Sequence, residues 1–280
     1  MRSPTMEAPY FTFLEEPDHM GIRPVAGGVA AVATRIAPEK TTPNEDSAAV
    51  IPLGADQAIL MVADGLGGHA SGEIASRLAI EQMELSLRER IEEFEQPFDS
   101  ELVRAAIITG IERANQAVLD LGNGAATTLC VAEIQQDTVR VYHIGDSVIM
   151  LIGQRGKIKF QTLAHSPIGY AVESGMMDEA DAIHHEERHL ISNVIGSTEM
   201  RIEMGPVRKM AYRDTLLLSS DGLVDNLLTE EIVERCRKGP LPRAVERLVT
   251  DARQRMERGP NGSHPSKPDD LTVVAFRRSR

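Results

Sequence analysis

From about residue 25 onward the chain breaks into short apolar runs punctuated by turn residues. Gly28–Ile36, Ser47–Ile51 and Ala58–Ala63 are short and rich in Val, Ile and Ala, which predicts strands. The period then lengthens. Ile74, Leu78, Met83 and Leu87 recur at near-helical spacing between Gly72 and Leu87. Val103, Ile107, Gly110, Ala114, Ala117 and Leu121 form one stripe between Glu101 and Leu121. Both segments predict amphipathic helices lying on a sheet. Strands return as hairpins: Thr127–Ile134 and Thr138–Ile144 flank Gln135-Gln136-Asp137, and Val148–Ile152 and Lys157–Thr162 flank Gly153-Gln154-Arg155-Gly156. Residues 163–194 are His-rich and less regular, with a helix expected around Asp178–Ala182. Thr215–Ser220 predicts a strand, and Thr229 is expected to cap a helix with Glu230 and Glu231 in its first turn. A helix over Pro242–Arg258, a polar loop over Arg258–Pro268 and a closing strand over Leu271–Arg277 complete the pattern. Residues 1–24 hold three prolines before Arg23 and no periodicity, so an N-terminal extension is expected there.

This order is not a βαβ alternation. An antiparallel sheet system with segregated helices fits it, in one domain over residues 25–280. Composition adds exclusions. A formal net charge of −12 leaves no basic footprint for a nucleic-acid backbone. Cys130 and Cys236 each sit in an apolar segment and read as reduced core thiols. The longest apolar run, Ala58–Ala63, is too short to span a membrane, and the acidic first twenty residues do not read as a signal peptide. A cytoplasmic location is the expectation.

The candidate chemistry lies in where acids fall relative to the strands. Asp64-Gly65 ends one strand, Asp146 follows another in Gly145-Asp146-Ser147, and Asp221-Gly222 ends a third. Asp269 and Asp270 precede the last strand, and Glu45 and Asp46 precede Ser47–Ile51. A single Asp-Gly after a strand is ordinary turn chemistry. Five acidic strand ends that antiparallel pairing can bring to one rim would repel strongly unless cations sat among them. Hard carboxylate ligands suit Mg²⁺ or Mn²⁺, and no cysteine-rich or His-x-x-x-His zinc spacing competes.

These residues resemble a family. Asn44-Glu45-Asp46-Ser47 and Val62-Ala63-Asp64-Gly65-Leu66-Gly67-Gly68-His69 are similar to the first motifs of the metal-dependent protein phosphatase 2C (PPM) family in its bacterial form. Gly124-Ala125-Ala126-Thr127-Thr128, His143-Ile144-Gly145-Asp146-Ser147, Ser219-Ser220-Asp221-Gly222-Leu223-Val224-Asp225 and Asp269-Asp270-Leu271-Thr272-Val273-Val274 continue it in order, so the resemblance runs from about Gly28 to Phe276. It implies an α+β, four-layer α-β-β-α sandwich of two antiparallel sheets flanked by helices, with a flap at about residues 163–196. It implies that Asp64 bridges two metals, that the Gly65 carbonyl touches one, and that Asp221 and Asp269 complete the other ion's ligands. Glu45 and Asp46 are then expected at the second metal through waters, and Asp146 and Asp225, sharing Asp221, at a third, weaker position.

The implied reaction is hydrolysis of phosphoserine or phosphothreonine on proteins by a metal-activated water, opposing a Ser/Thr kinase. No Cys-x5-Arg motif for a covalent phosphoenzyme is present. Asp64, Asp221 and Asp269 carry the catalysis, and His69 and His165 are candidates to protonate the leaving group. His184, His185 and His189 fall in the flap and read as a solvated segment rather than as ligands. A monomer is expected. Three positions depart from the family pattern: Thr41 where a phosphate-binding arginine is common, Val148 where an arginine follows Gly-Asp-Ser, and Ala164 where an aspartate precedes His165-Ser166. Lys40 is a candidate substitute for the missing arginine. The alternative reading is a weak or inactive module that binds or senses phosphoproteins.

Overall fold

The computed structural model describes residues 11–13, 18–66, 71–91, 98–182, 185–259 and 264–279. Fourteen strands are described: β1 (Phe11–Phe13), β2 (Asp18–Val25), β3 (Gly28–Arg35), β4 (Asp46–Pro52), β5 (Gln57–Leu66), β6 (Ala126–Thr127), β7 (Leu129–Gln135), β8 (Thr138–Ile144), β9 (Val148–Ile152), β10 (Ile158–Gln161), β11 (Glu203–Met204), β12 (Arg208–Lys209), β13 (Thr215–Ser219) and β14 (Leu271–Arg278). The helices are α1 (Ser71–Ile91), α2 (Ser100–Leu119), α3 (Pro167–Glu173), α4 (Glu179–Ala182), α5 (Asp221–Val224), α6 (Thr229–Cys236) and α7 (Leu241–Arg258).

One sheet runs β1-β4-β5-β7-β8-β11, with β12 also on β8 and β6 on β5; the other runs β10-β9-β13-β14-β3-β2. All strand pairs are antiparallel. Successive side chains of a strand point to opposite faces, and here both faces are covered. Ile59 and Met61 of β5 pack under α1 and α2, while Leu60 and Val62 pack against the other sheet. Likewise Leu216 and Leu218 of β13 face the first sheet and Leu217 faces α7. Three apolar layers therefore separate four structural layers, which is the expected α+β sandwich. Burial on both faces also explains why the strands read as continuous apolar runs rather than as alternations.

Three expectations are corrected and one element is added. The N-terminal segment is not merely an extension: β2 pairs with β3 along its whole length, from Asp18↔Arg35 to Val25↔Gly28, and β1 pairs with β4. The β2–β3 turn is made by Ala26 and Gly27, both at positive φ (47° and 64°), as a two-residue hairpin requires. Pro24 concealed the strand, but β2 is an edge, where proline is tolerated. In the flap, the helix expected around Asp178–Ala182 is present as α4, and it is preceded by the longer α3, which was not expected. Ser166 caps it by accepting the Gly169 N–H at 2.9 Å, with Pro167 in the first turn. Thr229 is the first helical residue of α6 rather than its cap; the Glu231 carboxylate reaches back to the Leu228 N–H at 3.0 Å. The expected Thr127–Ile134 strand is split at Thr128 into β6 and β7.

Candidate metal centre

The site grows from strand register. Asp46 opens β4 and pairs directly with Asp64 near the end of β5, so two acids face each other across adjacent strands. Thr128, in the break between β6 and β7, fixes Asp64: its N–H donates to the Asp64 carbonyl at 2.8 Å and its Oγ1 accepts the Asp64 N–H at 3.0 Å. The same hydroxyl lies 2.7 Å from Ser147 Oγ, tying the Asp146 turn to β5. Gly65 donates its N–H to the Glu45 carbonyl at 3.0 Å. A Cβ at Gly65 would meet the Gly72 carbonyl oxygen at 2.1 Å, so this turn into α1 admits only glycine. Gly145, at φ 109°, is similarly forced, since a Cβ there would meet Thr128 Cγ2 at 2.5 Å.

The second sheet brings the other acids. Asp221 opens α5 directly after β13, and Asp269 and Asp270 lead into β14. Ser220 Oγ donates to Asp46 Oδ2 at 2.7 Å and accepts the Thr272 N–H at 2.9 Å, joining the two sheets at the rim. Asp270 is the other joint. It accepts from the Ala37 N–H (2.8 Å), the Glu45 N–H (2.7 Å) and Lys40 Nζ (2.6 Å).

Electrostatics marks the acids around this joint. Burial, then the carboxylate of Asp270, raises the Asp46 pKa well above the usual carboxylate range. Burial, then Asp46, Asp221, Asp269 and Asp146, does the same to Asp64. Asp146 is pushed up to about 8 by burial, then by Asp221 and Asp225. Asp221 is raised by burial and Asp225, and Asp269 by burial and Asp221, with Lys267 opposing in both. Asp46 Oδ1, Asp146 Oδ1 and Asp221 Oδ1 are buried and have no hydrogen-bond partner. Buried carboxylate oxygens without donors are costly, and cations would satisfy them. The residues present therefore fit hard divalent ions.

Of the residues singled out in sequence, Glu45, Asp46, Asp64, Gly65, Asp146, Asp221, Asp225 and Asp269 come together at this rim. His69 and His184 lie outside the described residues. His165 is held by structure on both ring nitrogens. Nδ1 accepts from the Gly145 N–H (3.1 Å) and Asn193 Nδ2 (3.0 Å), so Nε2 carries the proton and donates to Glu203 at 2.8 Å. His143, at 4.6 Å ring to ring, is pushed down to about 3 by burial and then by His165, and so is neutral. His143 Nε2 lies 2.7 Å from the Ser147 carbonyl, while its buried Nδ1 has no hydrogen-bond partner. Lys40 is committed to Glu45 (2.8 Å) and Asp270 (2.6 Å), which removes it as the substitute for a free phosphate-binding arginine.

Three functional neighbours were not singled out from sequence: Ser220 as a support, Asn226, and Lys267. Lys267 Nζ lies 2.6 Å from Asp221 Oδ2 and 3.0 Å from both Asp225 Oδ2 and Asp269 Oδ2. Beside the rim is a cleft of about 650 Å³ that reaches Asp146, Asp221 and Asp225 and is floored by Val148, Ile168 and Val172.

A half-buried acidic rim on a four-layer α-β-β-α sandwich defines a class, the metal-dependent phosphatases. Residues 37–257 match the protein phosphatase 2C family. The serine/threonine phosphatase stp of Listeria monocytogenes serotype 4b (strain F2365) is 31% identical over 204 residues, covering 70% of this chain and 77% of that protein. The serine/threonine phosphatase PstP/Ppp of Mycobacterium tuberculosis superposes with a TM-score of 0.70 at 26% identity, covering 90% of this chain and 98% of that one. The catalytic domain of PstP in complex with two manganese ions superposes at 0.66 with 26% identity, covering 92% and 99%. The chain belongs to the protein phosphatase 2C family, and its class is that of a metal-dependent protein serine/threonine phosphatase.

Proposed function

We propose that the acidic rim holds two divalent cations, Mn²⁺ or Mg²⁺, and hydrolyses phosphoserine and phosphothreonine on protein substrates presented at the adjoining cleft. The observation that carries this is the trio of buried, partnerless oxygens, Asp46 Oδ1, Asp146 Oδ1 and Asp221 Oδ1, in a cluster otherwise driven to take up protons. Asp64, Asp221 and Asp269 are the residues to hold one ion, and Asp64, shared, and the Gly65 carbonyl those to hold the other. Glu45 and Asp46 lie on the side of the second. The two-manganese complex of PstP favours manganese as the first ion to try. Such ions supply a hydroxide at neutral pH and neutralise the phosphate oxygens.

The chain's own residues do the positioning. Thr128 fixes the Asp64 backbone, Ser220 aims Asp46, and Gly65 lets α1 approach closely enough for Glu45 to reach the rim. The cleft floor of Val148, Ile168 and Val172 offers apolar contact to residues flanking the phosphorylated side chain. With both ring nitrogens of His165 engaged, His69 remains the histidine candidate to protonate the leaving alkoxide. The protein opposes a Ser/Thr kinase, as a monomer, in the cytoplasm. Among the described residues no helix is long and apolar enough to cross a membrane.

The engagement of Lys40, together with Thr41 and Val148 in place of arginines, favours a second reading in which phosphopeptide binds without turnover. Release of phosphate from p-nitrophenyl phosphate and from a phosphothreonine peptide separates the two. Turnover that requires Mn²⁺, stops with EDTA and collapses in Asp221→Asn supports the enzyme. Peptide binding by a folded protein that is silent with both Mn²⁺ and Mg²⁺ supports the module.

A further inference from the structure

We infer that the Lys267 ammonium is a built-in cation of this centre: it occupies the ground between Asp221, Asp225 and Asp269 and keeps a divalent ion out of it. The ammonium donates to Asp221 Oδ2 at 2.6 Å and is ion-paired at 3.0 Å with both Asp225 Oδ2 and Asp269 Oδ2, so three carboxylates surround its charge. The placement is built from the backbone. The Lys267 N–H donates to Asn226 Oδ1 at 2.9 Å, and Asn226 Nδ2 donates back to the Lys267 carbonyl at 2.8 Å. That fully buried amide also reaches the Gly222 carbonyl at 2.9 Å, so one side chain locks the lysine's loop onto the turn that carries Asp221 and Asp225. Ser266 Oγ anchors the preceding residue to the Arg255 carbonyl at 3.0 Å.

The oxygens that Lys267 takes are not those left without partners. It bonds Asp221 Oδ2, whereas the buried oxygen lacking a donor on that residue is Oδ1. Asp221 thus divides its two oxygens between the ammonium and the remaining cluster. A divalent ion seated among Asp221 Oδ2, Asp225 Oδ2 and Asp269 Oδ2 would face a like charge at contact distance, so it enters only if the lysine leaves. The side chain is 25% exposed, which gives it a route out. Asp221 and Asp225, two of the three acids that the family resemblance assigns to a third, weaker metal, are therefore served, in this chain, by its own lysine. Asp64, Asp46 and Asp221 Oδ1 stay clear of the ammonium for the two-ion centre, while Asp269, whose Oδ2 it takes, joins that centre only as Lys267 moves aside.

This rests on the reading of the rim as a metal centre, and the test keeps the two separable. Full-length wild type, Lys267→Met and Lys267→Arg are dialysed to equilibrium against graded Mn²⁺, and bound metal is counted by elemental analysis. Lys267→Met is expected to hold one more ion per chain than wild type, or to hold its weakest ion at least tenfold more tightly, while Lys267→Arg matches wild type. Equal counts and affinities in wild type and Lys267→Met overturn the inference, as does an extra ion in Lys267→Arg. Wild type that binds no Mn²⁺ sinks the metal centre itself. Thermal unfolding gives an independent readout should Lys267→Met fold poorly without metal. Its melting point should rise more on moving from EDTA to Mn²⁺ than that of wild type, and an equal rise counts against the role of Lys267.

Discussion

Remove divalent metal from this protein with EDTA, and its stability should fall as the pH rises from 6.5 to 8. The Asp146 carboxyl, ordinarily near 3.8, is pushed up to about 8 by burial and by Asp221 and Asp225. Between those values the folded protein holds a proton that the unfolded chain has released, so folding takes up a proton and raising the pH opposes it. Below about pH 4 both states are protonated and this group has no effect; above about pH 8 the penalty for ionising it is complete. Each such proton costs about 1.4 kcal/mol of stability per pH unit, so about 2 kcal/mol between pH 6.5 and 8. For 280 residues, an unfolding entropy of about 2.1 cal/mol/K per residue gives about 0.6 kcal/mol/K. One proton therefore lowers the melting temperature by roughly 3–4 °C across the window. His143 acts the other way, because its pKa is lowered to about 3 and its contribution grows only until the unfolded histidine has lost its proton near pH 6.5. That is why the window begins there. Calorimetric scans at pH 6.5, 7, 7.5 and 8, in EDTA and in saturating Mn²⁺, should show the decline in EDTA and its loss in Mn²⁺. Asp146→Asn should flatten the EDTA slope by about one proton's worth. An EDTA profile that is flat or rising, or an Asp146→Asn slope equal to wild type, refutes the reasoning.

Two substitutions probe the supports of the site. Ser220→Ala deletes the donor to Asp46 Oδ2 and the acceptor for the Thr272 N–H. It should cost roughly 1–3 kcal/mol of stability and weaken Mn²⁺ binding by roughly 10–100-fold; intact metal affinity in equilibrium dialysis would speak against Ser220 as an orienting group. Gly145→Ala puts a Cβ at 2.5 Å from Thr128 Cγ2 on a backbone at φ 109°. A loss of more than about 1 kcal/mol in denaturant unfolding is expected, along with a fall in turnover as the adjoining Asp146 is displaced.

The acidic strand ends were legible because turn chemistry and strand limits coincide there. Asp64-Gly65 and Asp221-Gly222 mark where an apolar run must stop, and the antiparallel pairing that puts Asp46 opposite Asp64 follows from one hairpin register. The strands were legible because runs buried on both faces leave no polar alternation to mislead, whereas the four-layer stacking came only with the family resemblance. Elements that depend on an edge or a cap were not. β2 carries Pro24 and has one neighbouring strand, so its identity comes from β3 rather than from its own pattern. Helix α3 did carry a signal in Ser166-Pro167, a capping residue followed by proline. Lys267 carried none. It sits in a polar loop, 46 residues from the aspartate it bonds most closely, and only the Asn226 clamp brings it there.

The two neighbouring acids Asp269 and Asp270 show how the rim divides its labour. Asp270 is fully supplied with donors from Ala37, Lys40 and Glu45, so its charge is used up in closing the structure. Asp269 shares Lys267 with two other carboxylates and is raised by burial and Asp221. Asp270 thus builds the scaffold, while the donorless oxygens of Asp46, Asp146 and Asp221 await cations. Both scaffold links, Asp270 to Glu45 and Ser220 to Asp46, run from the β13–β14 sheet to the approach of β4 in the other. Repulsion among the unsatisfied acids therefore pushes directly on the joints that hold the two sheets together at this end. A cation that binds only the folded rim relieves that push, and its binding free energy appears as stability of the whole sandwich rather than of one loop.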